Sequence, residues 1–310
     1  MRALLIVNPH ATATTERRRD LITRALAGSL ALTVAHTDNR GHATELAAAA
    51  RREGIRLVVV HGGDGTVNEV VNGLLAAARP EAGASPATPL LAVVPGGSTN
   101  VFARALGIDR DPTTATEQLL DGLARGRTRE VSVGLANDRY FTFNAGLGLD
   151  AEVVRAVEDL REQGRTISNG LHIRQAARAF FAADRCHCRL SVTADGRDLG
   201  AVHVALVSNV DPWTYAGRRA VHTNPGLPAD RDLGLLGLRS LGTVTVLRVL
   251  RQMVAGRRGA AAKAVVRRDR VREIVVRAER PTALQADGDY LGEHTEVRFT
   301  SVPAAVRLVV

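Results

Sequence analysis

The chain has 310 residues, 45% of them hydrophobic and 24% charged, a balance that excludes intrinsic disorder and is enough for more than one core. A net charge of +9 favours an anionic partner, whether a phosphorylated substrate, an anionic membrane surface or nucleic acid. Nucleic acid is not expected, because aromatic residues make up only 3% and single-strand binders need stacking platforms.

No apolar run reaches the roughly 18 residues of a transmembrane helix. Residues 4–7 read as a strand, stopped by Asn8-Pro9, so the opening segment is a strand and not a signal peptide. Helix and strand signals then alternate: helix 15–27, strand 31–36, helix 42–52, strand 57–60, helix 66–78, strand 90–94, a helix from about 99, and helix 112–125. This rhythm predicts a parallel sheet with crossover helices, which binds ligands at the carboxyl ends of its strands. The polar turns after these strands begin at Asn8, Thr37, His61 and Pro95. Residues 78–88, rich in Ala, Pro and Gly, read as a surface loop.

Beyond residue 129 the texture changes to short alternating segments, at 131–133, 140–144, 189–193, 203–208, 235–240, 274–278 and 296–299. They predict a mostly antiparallel, β-rich second domain, interrupted by helical stretches at 151–181 and 244–255. The second stretch carries Val246, Val249, Leu250 and Met253 at the spacing of one helix face, with Arg248 and Arg251 opposite. Packing of that face onto the sheet is expected in preference to membrane contact. Cys186 and Cys188 flank His187, which is half of a zinc pattern at most; buried thiols in a reducing cytoplasm are expected, with no disulfide.

The most informative stretch is Gly62-Gly63-Asp64-Gly65-Thr66, between an apolar strand and a helix. Glycines allow close backbone approach, a helix N-terminus attracts phosphate, and Asp64 can reach magnesium directly or through water. Pro95-Gly96-Gly97-Ser98-Thr99-Asn100 is a second glycine loop at a helix start. The Gly-x-x-x-x-Gly-Lys-Ser/Thr motif is absent and Lys263 is the only lysine, which excludes a P-loop.

Together these loops resemble the diacylglycerol kinase catalytic domain family of lipid kinases. The likeness includes Asn68-Glu69, Asn72-Gly73, Phe102-Ala103-Arg104, Asn8-Pro9, residues 143–150 and Asp287-Gly288-Asp289, and so spans most of the chain. It implies a phosphofructokinase- and NAD-kinase-like α/β domain at 1–130 that binds ATP. A β-rich lipid-substrate domain follows at 131–310, its last strand a candidate to return to the first domain. Asn8, Thr37, Gly62, Gly63, Asp64, Gly65, Thr66, Asn68, Glu69, Gly96, Gly97, Ser98, Thr99 and Asn100 would form the nucleotide site, with Asp64 also organising Mg2+.

Asp287, which alone would read as a hairpin turn, becomes the general base in an interdomain cleft, and Asp232 the nearest candidate for a structural magnesium. The resemblance further implies a cytoplasmic enzyme acting on diacylglycerol or a similar lipid, peripheral to an anionic membrane; a homodimer is left open. Three positions depart from the family pattern: Leu233 breaks the Asp-Gly pair expected at Asp232, Val101 replaces a carboxylate and Asp289 a glutamate. An NAD kinase-like enzyme and a non-catalytic nucleotide- or lipid-binding protein are the alternatives.

Overall fold

The computed structural model describes residues 1–12, 14–76, 87–162, 189–256 and 263–310. Most of the loop expected at 78–88, the later part of the helical stretch 151–181, and the triplet Cys186, His187 and Cys188 lie outside the described residues. The chain forms two compact units, Met1–Val133 with Pro303–Val310, and Gly134–Val302.

In the first unit, β1 (Arg2–Val7), β2 (Ala31–His36), β3 (Leu57–Gly62) and β4 (Leu90–Pro95) pair in parallel in the order β4-β3-β1-β2. The chain's last residues join β4 in parallel through Leu308 and Leu91. Helices α1 (Glu16–Ala27), α2 (His42–Arg52), α3 (Asp64–Ala76), α4 (Val101–Ala105) and α5 (Pro112–Ala124) connect the strands. β3 is buried throughout, which is why it reads as an unbroken apolar run and not as an alternation. Leu5, Val7, Val59 and Val94 form a core with Ile22 and Leu26 of α1 and Leu119 of α5. The alternate side chains Leu4, Ile6, Val58 and Val60 are also buried, as the period of two requires.

The second unit is antiparallel. Its strands include β7 (Asn144–Gly148), β10 (Val204–Ser208), β13 (Leu233–Leu238), β14 (Val265–Val271) and β15 (Glu273–Ala286), in the order β14-β13-β10-β7-β15. β5 (Thr128–Ala136) pairs with β6 (Arg139–Phe141), and β8 (Leu190–Ala194) lies between β15 and β9 (Arg197–Val202). β11 (Thr214–Ala216) and β12 (Arg219–Val221) form a separate hairpin. β16 (Asp289–Val309) pairs with β15 before its end enters the first unit. Phe141 and Phe299 meet edge to face, 6.2 Å between centroids, within the sheet core.

Among the described residues of this unit two helices pack, α6 (Leu149–Glu162) and α7 (Thr243–Ala255). Val249 and Met253 of α7 are buried against Val204, Leu206, Leu236 and Leu238. Leu250 departs from the expected buried face: it is exposed, with Val244, Leu247 and Val254. The helix therefore carries two apolar rows and only one is covered. Among the described residues, no helix is long and apolar enough to cross a membrane.

Candidate active site

In the first unit the two glycine loops lie backbone against backbone. The Gly96 amide donates to Gly62 O at 2.8 Å, one step beyond the β3–β4 ladder. A methyl group on Gly97 would lie 2.7 Å from the Gly63 Cα, and one on Gly96 3.1 Å from the Gly62 Cα. At Gly62 the obstacle is Thr66, 2.8 Å away. Gly96 and Gly97 are thus required by the approach of the loops to each other, and Gly62 by the first turn of α3. Gly65 differs, because a methyl there meets nothing within 4 Å.

Asp64 opens α3 and locks the loops together. Its Oδ2 accepts the Val101 amide at 3.0 Å and its Oδ1 the Phe102 amide at 3.2 Å, so one carboxylate caps α4 from the neighbouring loop. Asn100 sits in the left-handed region at φ 50° and clasps its own loop, accepting the Gly97 amide and donating to Gly97 O. Ser98 remains exposed at the loop tip, its hydroxyl 3.5 Å from that of Thr99. The Arg104 guanidinium reaches back to Thr99 O at 3.3 Å.

Asn8 donates through Nδ2 to the Thr66 hydroxyl at 3.1 Å, tying the turn after β1 to the first turn of α3. Thr37 is buried, its amide continuing the β1–β2 ladder onto Val7 O at 2.9 Å. Asn68 is 1% exposed and receives the Asn72 side chain at 3.0 Å inside α3. Glu69 turns towards α2 and accepts the amides of Gly41 at 2.9 Å and Ala43 at 3.2 Å. α2 has no side-chain cap within its own N-terminal segment, and Glu69 supplies one.

Sequence reasoning gave no role to Thr14 or His61. His61 is fully buried, its Nδ1 3.1 Å from Val94 O and its Nε2 3.2 Å from the Thr14 hydroxyl. A carbonyl only accepts, so Nδ1 carries the proton and Nε2 accepts from Thr14. Burial pushes the His61 pKa down, with Arg18 and Arg19 acting in the same direction and the Val94 carbonyl against it. The imidazole is a neutral brace between β3 and β4. Its position directly before the glycine motif was the available signal.

Asp287 lies in the second unit. With Gly288 it forms the two-residue turn between β15 and β16, at φ 51° and 81°, and Ala286 faces Asp289 across it. Positive φ at both central residues marks a type I′ hairpin. The Asp287 side chain folds inward, 6% exposed. Its Oδ2 accepts the amide and hydroxyl of Thr142, and its Oδ1 the amides of Phe143 and Asn144. Burial pushes this carboxyl above the usual carboxylate range, while those hydrogen bonds pull it down.

Gln285 connects the turn to a second carboxylate: Nε2 donates to Asn144 Oδ1 at 3.1 Å and to Asp150 Oδ2 at 2.8 Å, and Oε1 accepts the Gly288 amide. Burial pushes Asp150 up to about 6, partly opposed by Gln285. Thr142 and Gln285 were not singled out in the sequence, and Asp150 entered only as the end of the 143–150 likeness, since nothing in their spacing joins them to residue 287.

Asp232 stands half-buried just before β13. Among the described residues no three or more His, Cys, Asp or Glu side chains are grouped to hold a metal, so any cation at Asp232 would rest on that one carboxylate with backbone carbonyls and water.

Residues 2–136 match the family described as the diacylglycerol kinase catalytic domain, and residues 144–310 match the YegS C-terminal NAD kinase beta sandwich-like domain. The chain belongs to the family that carries the YegS C-terminal NAD kinase beta sandwich-like domain, and its first 136 residues are similar to the diacylglycerol kinase catalytic domain. A diacylglycerol kinase of Bacillus subtilis (strain 168) is 41% identical over 109 residues, 35% of this chain and 32% of that protein. One from Staphylococcus aureus (strain JH9) is 39% identical over 105 residues, 34% and 30% of the two chains. These matches span about a third of the relatives' length. The solved structure of a diacylglycerol kinase from Bacillus anthracis str. Sterne superposes with a TM-score of 0.72 at 20% identity, covering 99% of this chain and 96% of that one. At that identity the likeness shows the fold: a parallel α/β domain followed by an antiparallel β-rich domain.

Proposed function

We propose that this protein is an ATP-dependent lipid kinase that phosphorylates a hydroxyl of diacylglycerol or a similar lipid. The observation that carries the reading is the pair of interlocked glycine loops at the carboxyl ends of β3 and β4, with α3 beginning at Asp64. An anion placed there meets a helix N-terminus, the Ser98 and Thr99 hydroxyls and the open space beside Gly65. Asn8, Thr37 and Asn100 would hold the rest of the nucleotide or shape its loops.

Phosphoryl transfer proceeds through a loose transition state, so catalysis is mainly positioning and charge stabilisation. A divalent cation fits a site with one loop carboxylate, because magnesium is commonly held by one or two carboxylates together with substrate phosphates. Asp64 would be that carboxylate, sharing its oxygens between the cation and the Val101 and Phe102 amides. When bound, Mg2+ would neutralise charge on the phosphate oxygens. Asp287 would take the proton of the attacking lipid hydroxyl, held in orientation by Thr142, Phe143 and Asn144. The chain would work in the cytoplasm, at the surface of an anionic membrane.

Radiolabelled ATP with total lipid extract, the product identified by mass spectrometry, tests this directly. Label in a phospholipid is expected. The second unit's family description names NAD kinase, so NAD is the informative competitor, and label appearing in NAD alone would overturn the lipid reading.

A further inference from the structure

Four of the six exposed large hydrophobic side chains among the described residues lie on α7: Val244, Leu247, Leu250 and Val254, with relative exposures of 82%, 62%, 49% and 43%. Their spacing puts them in one row along the helix, opposite Val249 and Met253, which pack on the sheet. A helix whose buried face is already satisfied does not need a second apolar row to fold. That row therefore points to something outside the unit.

The charge around it indicates what. Arg248 and Arg251 are exposed on the same helix, and neither forms an ion pair among the described residues. The sequence from 233 to 268 holds no Asp or Glu, whereas it holds seven arginines and one lysine. A chain with 32 acidic residues in 310 would on average place three or four in such a stretch. An apolar row edged by cations and cleared of carboxylates suits a surface with acyl chains beneath anionic head groups. It suits a second copy of this chain less well: a two-fold contact along α7 would set Arg248 and Arg251 against their own equivalents, and the helix has no carboxylate to receive them.

We propose that the solvent-facing row of α7 seats the protein on an anionic lipid bilayer, with Leu247 and Leu250 entering the acyl boundary and Arg248 and Arg251 meeting lipid phosphates. This rests on the lipid-kinase reading and names the surface through which that enzyme would reach its substrate.

Co-sedimentation of the full chain tests it, with vesicles of phosphatidylcholine alone and vesicles containing about a third phosphatidylglycerol. The wild type is expected to bind the anionic vesicles at least tenfold more tightly, and less so as salt rises. Leu247→Glu with Leu250→Glu, and separately Arg248→Gln with Arg251→Gln, are each expected to weaken that binding at least tenfold. All four positions are exposed, so circular dichroism and thermal unfolding should match the wild type.

Turnover of a short-chain diacylglycerol dissolved as monomers should be unchanged in both variants. Variants that bind vesicles like the wild type overturn the proposal. So does a wild-type dimer that Leu247→Glu with Leu250→Glu converts to monomer in sedimentation velocity while vesicle binding persists, since the row would then join two copies. If the wild type fails to phosphorylate the short-chain lipid, the kinase reading falls, and the vesicle comparison still decides the role of α7.

Discussion

Thr142 gives one carboxylate oxygen of Asp287 two hydrogen bonds, 2.6 Å from its amide and 2.7 Å from its hydroxyl. The hydroxyl is the only one of the four protein donors to this side chain described above that mutation can remove without touching the backbone. Thr142→Val withdraws a donor that favours the ionised form, so the Asp287 pKa, already raised by burial, rises further. If Asp287 is the base, the acid limb of the pH–rate profile moves to higher pH in Thr142→Val, and activity well above that limb changes little. Stopped assays from pH 5 to pH 9 check this.

Asp287→Asn tests the same residue more severely. Nucleotide affinity by calorimetry should stay within about threefold, because the glycine loops belong to the other unit, whereas phosphate transfer should fall at least ~100-fold. The asparagine also leaves an NH2 group facing buried amides, costing about 1–3 kcal/mol of stability in urea unfolding. Unchanged turnover would remove Asp287 as the base.

The glycines make opposite predictions. Gly97→Ala forces a methyl to 2.7 Å from the Gly63 Cα, a backbone contact that cannot yield cheaply, so it should destabilise by about 1–3 kcal/mol. Gly65→Ala meets open space, and its stability should remain within about 0.5 kcal/mol of wild type. If the triphosphate lies against Gly65, nucleotide binding should nevertheless drop at least ~10-fold in that variant. Equal nucleotide affinity in wild type and Gly65→Ala would move the phosphates elsewhere.

Much of the first unit was legible because β1, β3 and β4 are buried on both faces and its helices have clear ends. Strand β2 and helix α2 fall on the boundaries read from sequence, and Gly41 and Gly54, which flank α2, take φ of 90° and 67°. The glycine loops were also legible as tight turns between a strand and a helix. Their interlock was not, since Asp64 is held by backbone amides of Val101 and Phe102, and amides carry no residue-type signal. Val101, read as a lost carboxylate, contributes its amide here.

In the second unit, β14 was missed because Arg267, Arg268, Asp269 and Arg270 look like a loop. Among the described residues it lies at the end of the strand order, where charged side chains suit an edge.

Glu69→Ala removes the carboxylate that accepts the Gly41 and Ala43 amides at the start of α2. Losing a cap of this kind costs about 0.5–2 kcal/mol, measurable as a lower urea midpoint with an unchanged slope. Glu69→Gln keeps one acceptor and should recover part of the loss. If nucleotide affinity falls in step with stability and recovers in Glu69→Gln, Glu69 serves the site by holding α2. A fall in affinity that Gln does not rescue would assign its charge to the nucleotide itself.

Asp150 predicts a pH dependence of stability. Its carboxyl is raised from 3.8 to about 6 in the folded chain, first by burial, with the Gln285 hydrogen bond opposing. The folded state thus holds this proton more tightly than the unfolded state. The group's contribution is complete below pH 3.8 and is lost as pH rises through about 6, so at pH 8 the ionised carboxylate is a penalty. Partial access to solvent trims that penalty to about 1–2 kcal/mol. Asp150→Asn has no proton to lose and keeps an oxygen for Gln285 Nε2, so its stability should exceed that of wild type at pH 8 by about this amount. The gap should shrink towards zero near pH 4. Urea unfolding of both proteins at pH 4, 6 and 8 measures it, and a gap independent of pH would show that Asp150 is ionised throughout and stabilised where it stands.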